Sequence, residues 1–143
     1  MMLLHLKPFE IEDALDIARE AVEPNLDGHI EQGAAFNKAH GPAMTAYLPN
    51  GQRLAAAGVL LHRNGSGTVW FIGKKAIRQH KLSVLTTLKK MIEIWSLEMG
   101  ITRLRTHSEI GFPESQRLLE HLGFKRLRTI MKNTHYFYRM ETR

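Results

Sequence analysis

The period of the apolar positions changes several times along this chain, and each change marks a new element. Residues 2–6 read as a short strand. Ile11, Ala14, Leu15, Ala18, Ala21 and Val22 then recur at helical spacing, with acidic residues in the first turn and Pro24 closing the segment. Residues 29–40 carry a weaker helical pattern that ends at Gly41-Pro42. Residues 43–48, the turn Pro49-Asn50-Gly51-Gln52 and the apolar run 54–62 read as a hairpin, because Asn-Gly between apolar runs suits a tight turn. A second turn, Asn64-Gly65-Ser66-Gly67, leads into a strand at 68–72.

The longest periodic segment is 83–99, where Val84, Leu85, Leu88, Met91, Ile92 and Trp95 share one helical face and Gly100 takes the position just past the end. Residues 101–108 have strand character. Gly111-Phe112-Pro113 opens another helix with proline at its first position; Leu118, Leu119 and Leu122 follow, and Gly123 stops it. Residues 125–140 read as two strands around Lys132-Asn133-Thr134. The predicted order is β-α-α-β-β-β-α-β-α-β-β in one domain, 1–143. It predicts an α+β fold: a mixed, mostly antiparallel sheet of about six or seven strands flanked by about four helices.

Composition narrows the chemistry. The 143 residues include no cysteine, which excludes disulfides, thiolate metal sites and a cysteine nucleophile. None of the eight histidines stands in His-x-x-x-His spacing, so no metal is expected. Met-Met-Leu-Leu-His-Leu reaches Lys7-Pro8 too soon for a signal-peptide core, and no apolar stretch has the length of a membrane span. A soluble cytoplasmic protein with no membrane partner is expected, as monomer or homodimer.

Charge is unevenly placed. Residues 1–73 hold five Lys/Arg against eight Asp/Glu, and residues 74–143 hold fifteen against six. An anionic partner for the second half is one reading, and a solvated basic surface is the other. The turn 73–83 stands out, since Lys74, Lys75, Arg78, His80 and Lys81 lead into the long helix. A helix N-terminus presents amides and a partial positive charge that suit phosphate.

The order and lengths of these segments resemble the GNAT N-acyltransferase fold over essentially the whole chain. Ser115-Gln-Arg-Leu-Leu-Glu-His-Leu-Gly-Phe-Lys125 resembles the family's late helix, and Leu-Lys-Pro-Phe-Glu-Ile-Glu-Asp-Ala (6–14) resembles its opening strand and first helix. The short, glycine-poor form is also similar to small GNAT-like proteins of tailed phages. The resemblance implies transfer of an acetyl group from acetyl-CoA to a small-molecule or protein amine. The cofactor would lie in a V-shaped opening between strands 68–72 and 102–108. Its pantetheine arm would pair with the backbone at Phe71, Ile72 and Gly73. Its pyrophosphate would sit on the turn formed by Lys74, Arg78, Gln79, His80, Lys81, Leu82, Ser83 and Val84. The family's turn reads Arg/Gln-x-x-Gly-x-Gly/Ala. Gln79 matches its first position, whereas Leu82 and Val84 replace the glycines. The late-helix tyrosine that often protonates the CoA thiolate falls at Leu119, and the helix-opening position that is often Asn is Phe112.

Amine acylation needs a base for the ammonium, a donor to the thioester oxygen and an acid for the thiolate. His107 and Glu109, at the end of strand 102–108, are the candidate bases. A backbone N–H near Ile72–Gly73 is the candidate donor, and Tyr136 is the candidate acid, with Tyr138 beside it. Two other readings stay open. One is a catalytically degenerate GNAT-like binding or structural module. The other is a nucleic-acid-binding domain using Arg103, Arg105, Arg117, Lys125, Arg126 and Arg128.

Overall fold

A computed structural model describes residues 4–21, 30–109, 113–130 and 135–141; at 108–109, 113, 128–130 and 135–137 it describes the backbone alone. The elements are β1 (His5–Pro8), α1 (Ile11–Arg19), α2 (Ile30–Ala39), β2 (Ala43–Tyr47), β3 (Arg53–Leu61), β4 (Ser66–Gly73), α3 (Lys81–Met99), β5 (Arg103–Glu109), α4 (Pro113–Leu122), β6 (Lys125–Ile130) and β7 (His135–Glu141). One seven-stranded sheet runs β1-β2-β3-β4-β5-β7-β6. Neighbours pair antiparallel except β4 and β5, which pair in parallel. The element order and the mixed sheet between helices are those expected from the hydrophobic pattern.

Boundaries moved where tertiary contacts overrode local preference. β1 extends to Pro8, a residue without an N–H, because β1 is an edge strand with one free side. α1 ends at Arg19 rather than Val22, since Ala21 bridges to Lys74 and the Lys75 N–H donates to the Glu20 carbonyl at 2.8 Å. The basic turn is a 3-10 helix, Lys75–Gln79, and α3 starts at Lys81, two residues before the expected 83. Gly100 and Gly123 end α3 and α4 with φ of 66° and 104°, where a side chain would be strained. The turns expected at 111–112 and 132–134 lie outside the described residues.

Helices cover both faces of the sheet. Phe9, Ala14, Ile17, Ala34 and Ala56 pack on the side of α1 and α2, joined by Trp70 and Ile72. Val59, Val69, Leu88, Ile92, Trp95, Leu104, Leu119 and Phe124 pack on the side of α3 and α4. Successive β4 residues thus serve opposite layers, as the pleat requires. Gly58 admits Trp70: a Cβ there would lie 2.8 Å from the indole Cζ2 and 2.5 Å from the Pro42 carbonyl oxygen.

The side of α1 is tied to β2 and β3 by a buried carboxylate. Asp13, 1 % exposed, accepts hydrogen bonds from the Glu10 N–H (2.8 Å), Thr45 Oγ1 (2.7 Å), Tyr47 O–H (3.0 Å) and Arg53 Nε (2.6 Å). Burial pushes its carboxyl up, but these hydrogen bonds, led by that of Arg53, outweigh burial and hold it below the ordinary 3.8. Burial and then the Asp13 carboxylate raise the Tyr47 phenol in turn.

Asp13→Ala is expected to destabilise the fold by about 3 kcal/mol in urea titrations, the low end for a broken buried pair. Arg53, 28 % exposed at its side chain, regains water in that variant. The pH dependence follows from the depressed carboxyl. Its stabilisation is full above the unfolded value of 3.8 and is lost as pH falls through the lower folded value. The stability gap between wild type and Asp13→Asn should be flat near neutrality and narrow below 3.8.

Candidate active site

β4 and β5 pair for three residues and then part. Their register runs Ser66↔Arg103, Gly67↔Leu104 and Thr68↔Arg105, where strand pairing between them stops. Each strand continues with its outer neighbour: β4 pairs with β3 as far as Gly73↔Ala55, and β5 with β7 as far as Glu109↔His135. At the fork, Thr106 Oγ1 donates to the Val69 carbonyl at 2.8 Å, a side chain doing what the next strand amide would have done. Beyond it the side of β4 that faces β5 has no strand pairing with β5. Backbone groups on such an edge can pair with an extended ligand.

From the end of β4 the chain passes through the 3-10 turn Lys75–Gln79 to the N-terminus of α3. The His80 side chain makes no capping hydrogen bond to this helix, and the Val84 N–H closes the first turn on the His80 carbonyl at 3.0 Å. Beside it is a cleft of about 210 Å³ between α3 and α4. Ile77, Val84, Leu85 and Leu118 line it as apolar walls, and Arg78, Lys81, Arg117, His121 and Glu114 supply its polar groups. Arg78 grips Glu114 with both arms of its guanidinium, Nε to Oε2 at 2.8 Å and Nη2 to Oε1 at 2.7 Å. That hydrogen bond raises the guanidinium and holds the Glu114 carboxyl below its ordinary value; Lys81 and Arg117 add to the lowering through their charge.

The structure does not gather all of the anticipated cofactor residues in one place. Arg78, Lys81 and Val84 line the cleft, while Gln79 and Leu82 are exposed and Ser83 is buried in the first turn of α3. His80 is the residue at the N-cap. Phe71 packs under α3, Ile72 faces the layer of α1, and Gly73 ends β4. Lys74 turns away: its ammonium lies 3.3 Å from Asp16 and 3.5 Å from Glu20, so its charge belongs to α1. Leu82, 63 % exposed, does not fill the cleft.

His107 is exposed on β5 past the fork and opposite Phe137 of β7. Glu109 and Tyr136 occupy register positions opposite His135 and Ser108, and their side chains lie outside the described set. Leu119 is buried in the core, and Phe112 falls outside the described residues. Five of the six basic residues anticipated for nucleic acid have described side chains, Arg128 being the exception, and these five are divided. Arg117 lines the cleft, Arg103 and Arg105 lie on β5, and Lys125 and Arg126 lie on opposite faces of β6. Among the described residues no group of three or more His, Asp or Glu could hold a metal ion, and no helix is long and apolar enough to cross a membrane.

Sequence reasoning passed over Glu114 and His121 as cleft residues. Their signal was the spacing 114, 117, 118, 121, which places four side chains on one stripe of α4.

No family model matches this sequence, and no curated protein matches it. Solved structures do. An acetyltransferase of the GNAT family from Staphylococcus aureus Mu50 superposes with a TM-score of 0.80 at 12 % identity, over 98 % of this chain and 99 % of that one. An acetyltransferase from Streptococcus agalactiae 2603 gives 0.76 at 15 % identity, over 96 % and 98 %. The F149G mutant of the spermidine N-acetyltransferase SpeG from Vibrio cholerae gives 0.73 at 12 % identity, over 96 % and 93 %. With near-complete coverage on both sides and a forked β4–β5 pair at its centre, this chain has the GNAT acetyltransferase fold.

Proposed function

We propose that this protein is an acyl-CoA-dependent N-acyltransferase that moves an acetyl group to a primary amine by direct attack in a ternary complex. The observation that carries this reading is a β4 strand whose pairing with β5 ends at Thr68, followed in the chain by a cleft lined by Arg78, Lys81, Arg117 and His121. An extended pantetheine arm suits the first, and a pyrophosphate suits the second. Of the leucine and valine at the family's glycine positions, the leucine is turned out of the cleft and the valine forms part of its apolar wall. Leu82 projects into solvent, and Val84 packs inward against Leu4 and Leu54. The cleft cations Arg78, Lys81 and Arg117 supply charge that a closer backbone wrap would have provided.

In this reading His107 accepts the proton from the attacking ammonium, with Glu109 as the alternative base. A backbone N–H at Ile72–Gly73 stabilises the oxyanion. The amine nitrogen bonds to the thioester carbon, the C–S bond breaks, and the thiolate is protonated by Tyr136 or by water. The acceptor is a small-molecule or protein amine, and a cytoplasmic setting goes with the co-substrate.

A second reading is favoured by Leu119, which sits in the core where a donor to the thiolate is often found. It describes a module that binds acyl-CoA without turnover.

Acetyl-CoA at a hundred times its dissociation constant is expected to stabilise the protein by about 2.7 kcal/mol, read as a rise in Tm. An unchanged Tm at millimolar acetyl-CoA overturns both readings. Release of free thiol in the presence of an amine panel separates them. If thiol is released, His107→Gln should lower kcat by about 10²-fold with little change in the Tm response to acetyl-CoA, and an unchanged kcat would pass the role to Glu109.

A further inference from the structure

The cleft already contains an anion, contributed by the chain itself. Glu114 stands in the first turn of α4 and reaches across to Arg78 in the 3-10 turn, 36 residues earlier. Its two oxygens meet the guanidinium at 2.7 and 2.8 Å, and Lys81 and Arg117 act on the same carboxylate. A carboxylate and a phosphate both offer a pair of oxygens to the guanidinium fork. We propose that Glu114 is an internal competitor for the pyrophosphate, holding Arg78 in the free protein and yielding it when the polyanion arrives. This inference rests on the reading of the cleft as the pyrophosphate site.

Three features make the contact releasable. The Arg78 and Glu114 side chains are 50 % and 30 % exposed, so water and salt weaken the pair. A pyrophosphate carries more charge than the carboxylate it displaces, and Lys81 and Arg117 favour the exchange. A freed Glu114 also stays at the N-terminal end of α4, where the helix dipole stabilises a negative side chain. The consequence is selectivity. Ligands with several charges on adjacent phosphates recover the cost of displacing Glu114, and a single carboxylate does not.

Calorimetric titration with CoA and, separately, inorganic pyrophosphate tests this on wild type, Glu114→Gln, Arg78→Gln and the double variant. Circular dichroism checks the fold, and Glu114→Ala replaces Glu114→Gln if the latter unfolds. Glu114→Gln should tighten binding of both probes by about fivefold, the scale of one exposed ion pair. In the Arg78→Gln background the gain should shrink, because competition for Arg78 is non-additive whereas bulk charge adds. Unchanged or weaker binding by Glu114→Gln, or a gain of equal size without Arg78, overturns the competitor role and leaves the CoA reading intact. Tightened pyrophosphate binding with no CoA binding by any variant supports the competitor and removes the CoA reading. Binding of neither probe removes both.

Discussion

Two strands that pair in parallel for three residues and then separate are the constraint from which the rest of the site follows. The fork is held open from outside. β4 is paired to β3 along its length and β5 to β7 along its own, so neither can bend back to its neighbour without giving up a ladder. α3 and α4 pack on one side of the fork through Val69, Leu88, Leu104 and Leu119, and Thr106 seals its vertex through the Val69 carbonyl. A buried backbone edge without a partner is costly, so an edge left open in this way must face solvent or a ligand.

Charge is arranged around that fork in two separate systems. On the side of α1, Asp13 and Asp16 take up Arg53 and Lys74, fastening the first helix to the sheet and removing a lysine from the turn. On the side of α3 and α4, Arg78, Lys81, Arg117 and His121 converge on a cleft with Glu114 as their one carboxylate among the described lining residues. The first system is buried enough to be structural. The second is exposed enough to exchange partners, and it gathers three of the second half's fifteen Lys/Arg at one cleft.

Most of the fold was legible along the chain. The 3.6-residue stripe from Val84 to Trp95 and the glycines at 100 and 123 are local signals, and a helix and its end depend on neighbours within one turn. The same holds for the Asn-Gly turn between β2 and β3. The site was less legible. Lys74 and Arg78 look equivalent in sequence, yet one is claimed by Asp16, 58 residues away, and the other by Glu114, 36 residues away. Asp13 reads as a first-turn acid and is one, but it is also buried under Thr45, Tyr47 and Arg53.

The amino-acid sequence by itself determined the order of the elements, the layers they bury and the presence of a basic turn before the central helix. These depend on periodicity and on backbone conformations that act over a few residues. Only the tertiary structure decided which cations remain available to a ligand, where β4 and β5 part, and that α4 brings its own carboxylate to the cleft. The physical reason is range. A side chain's charge is set by its identity, but its partner is set by which distant elements the packed sheet brings within 4 Å.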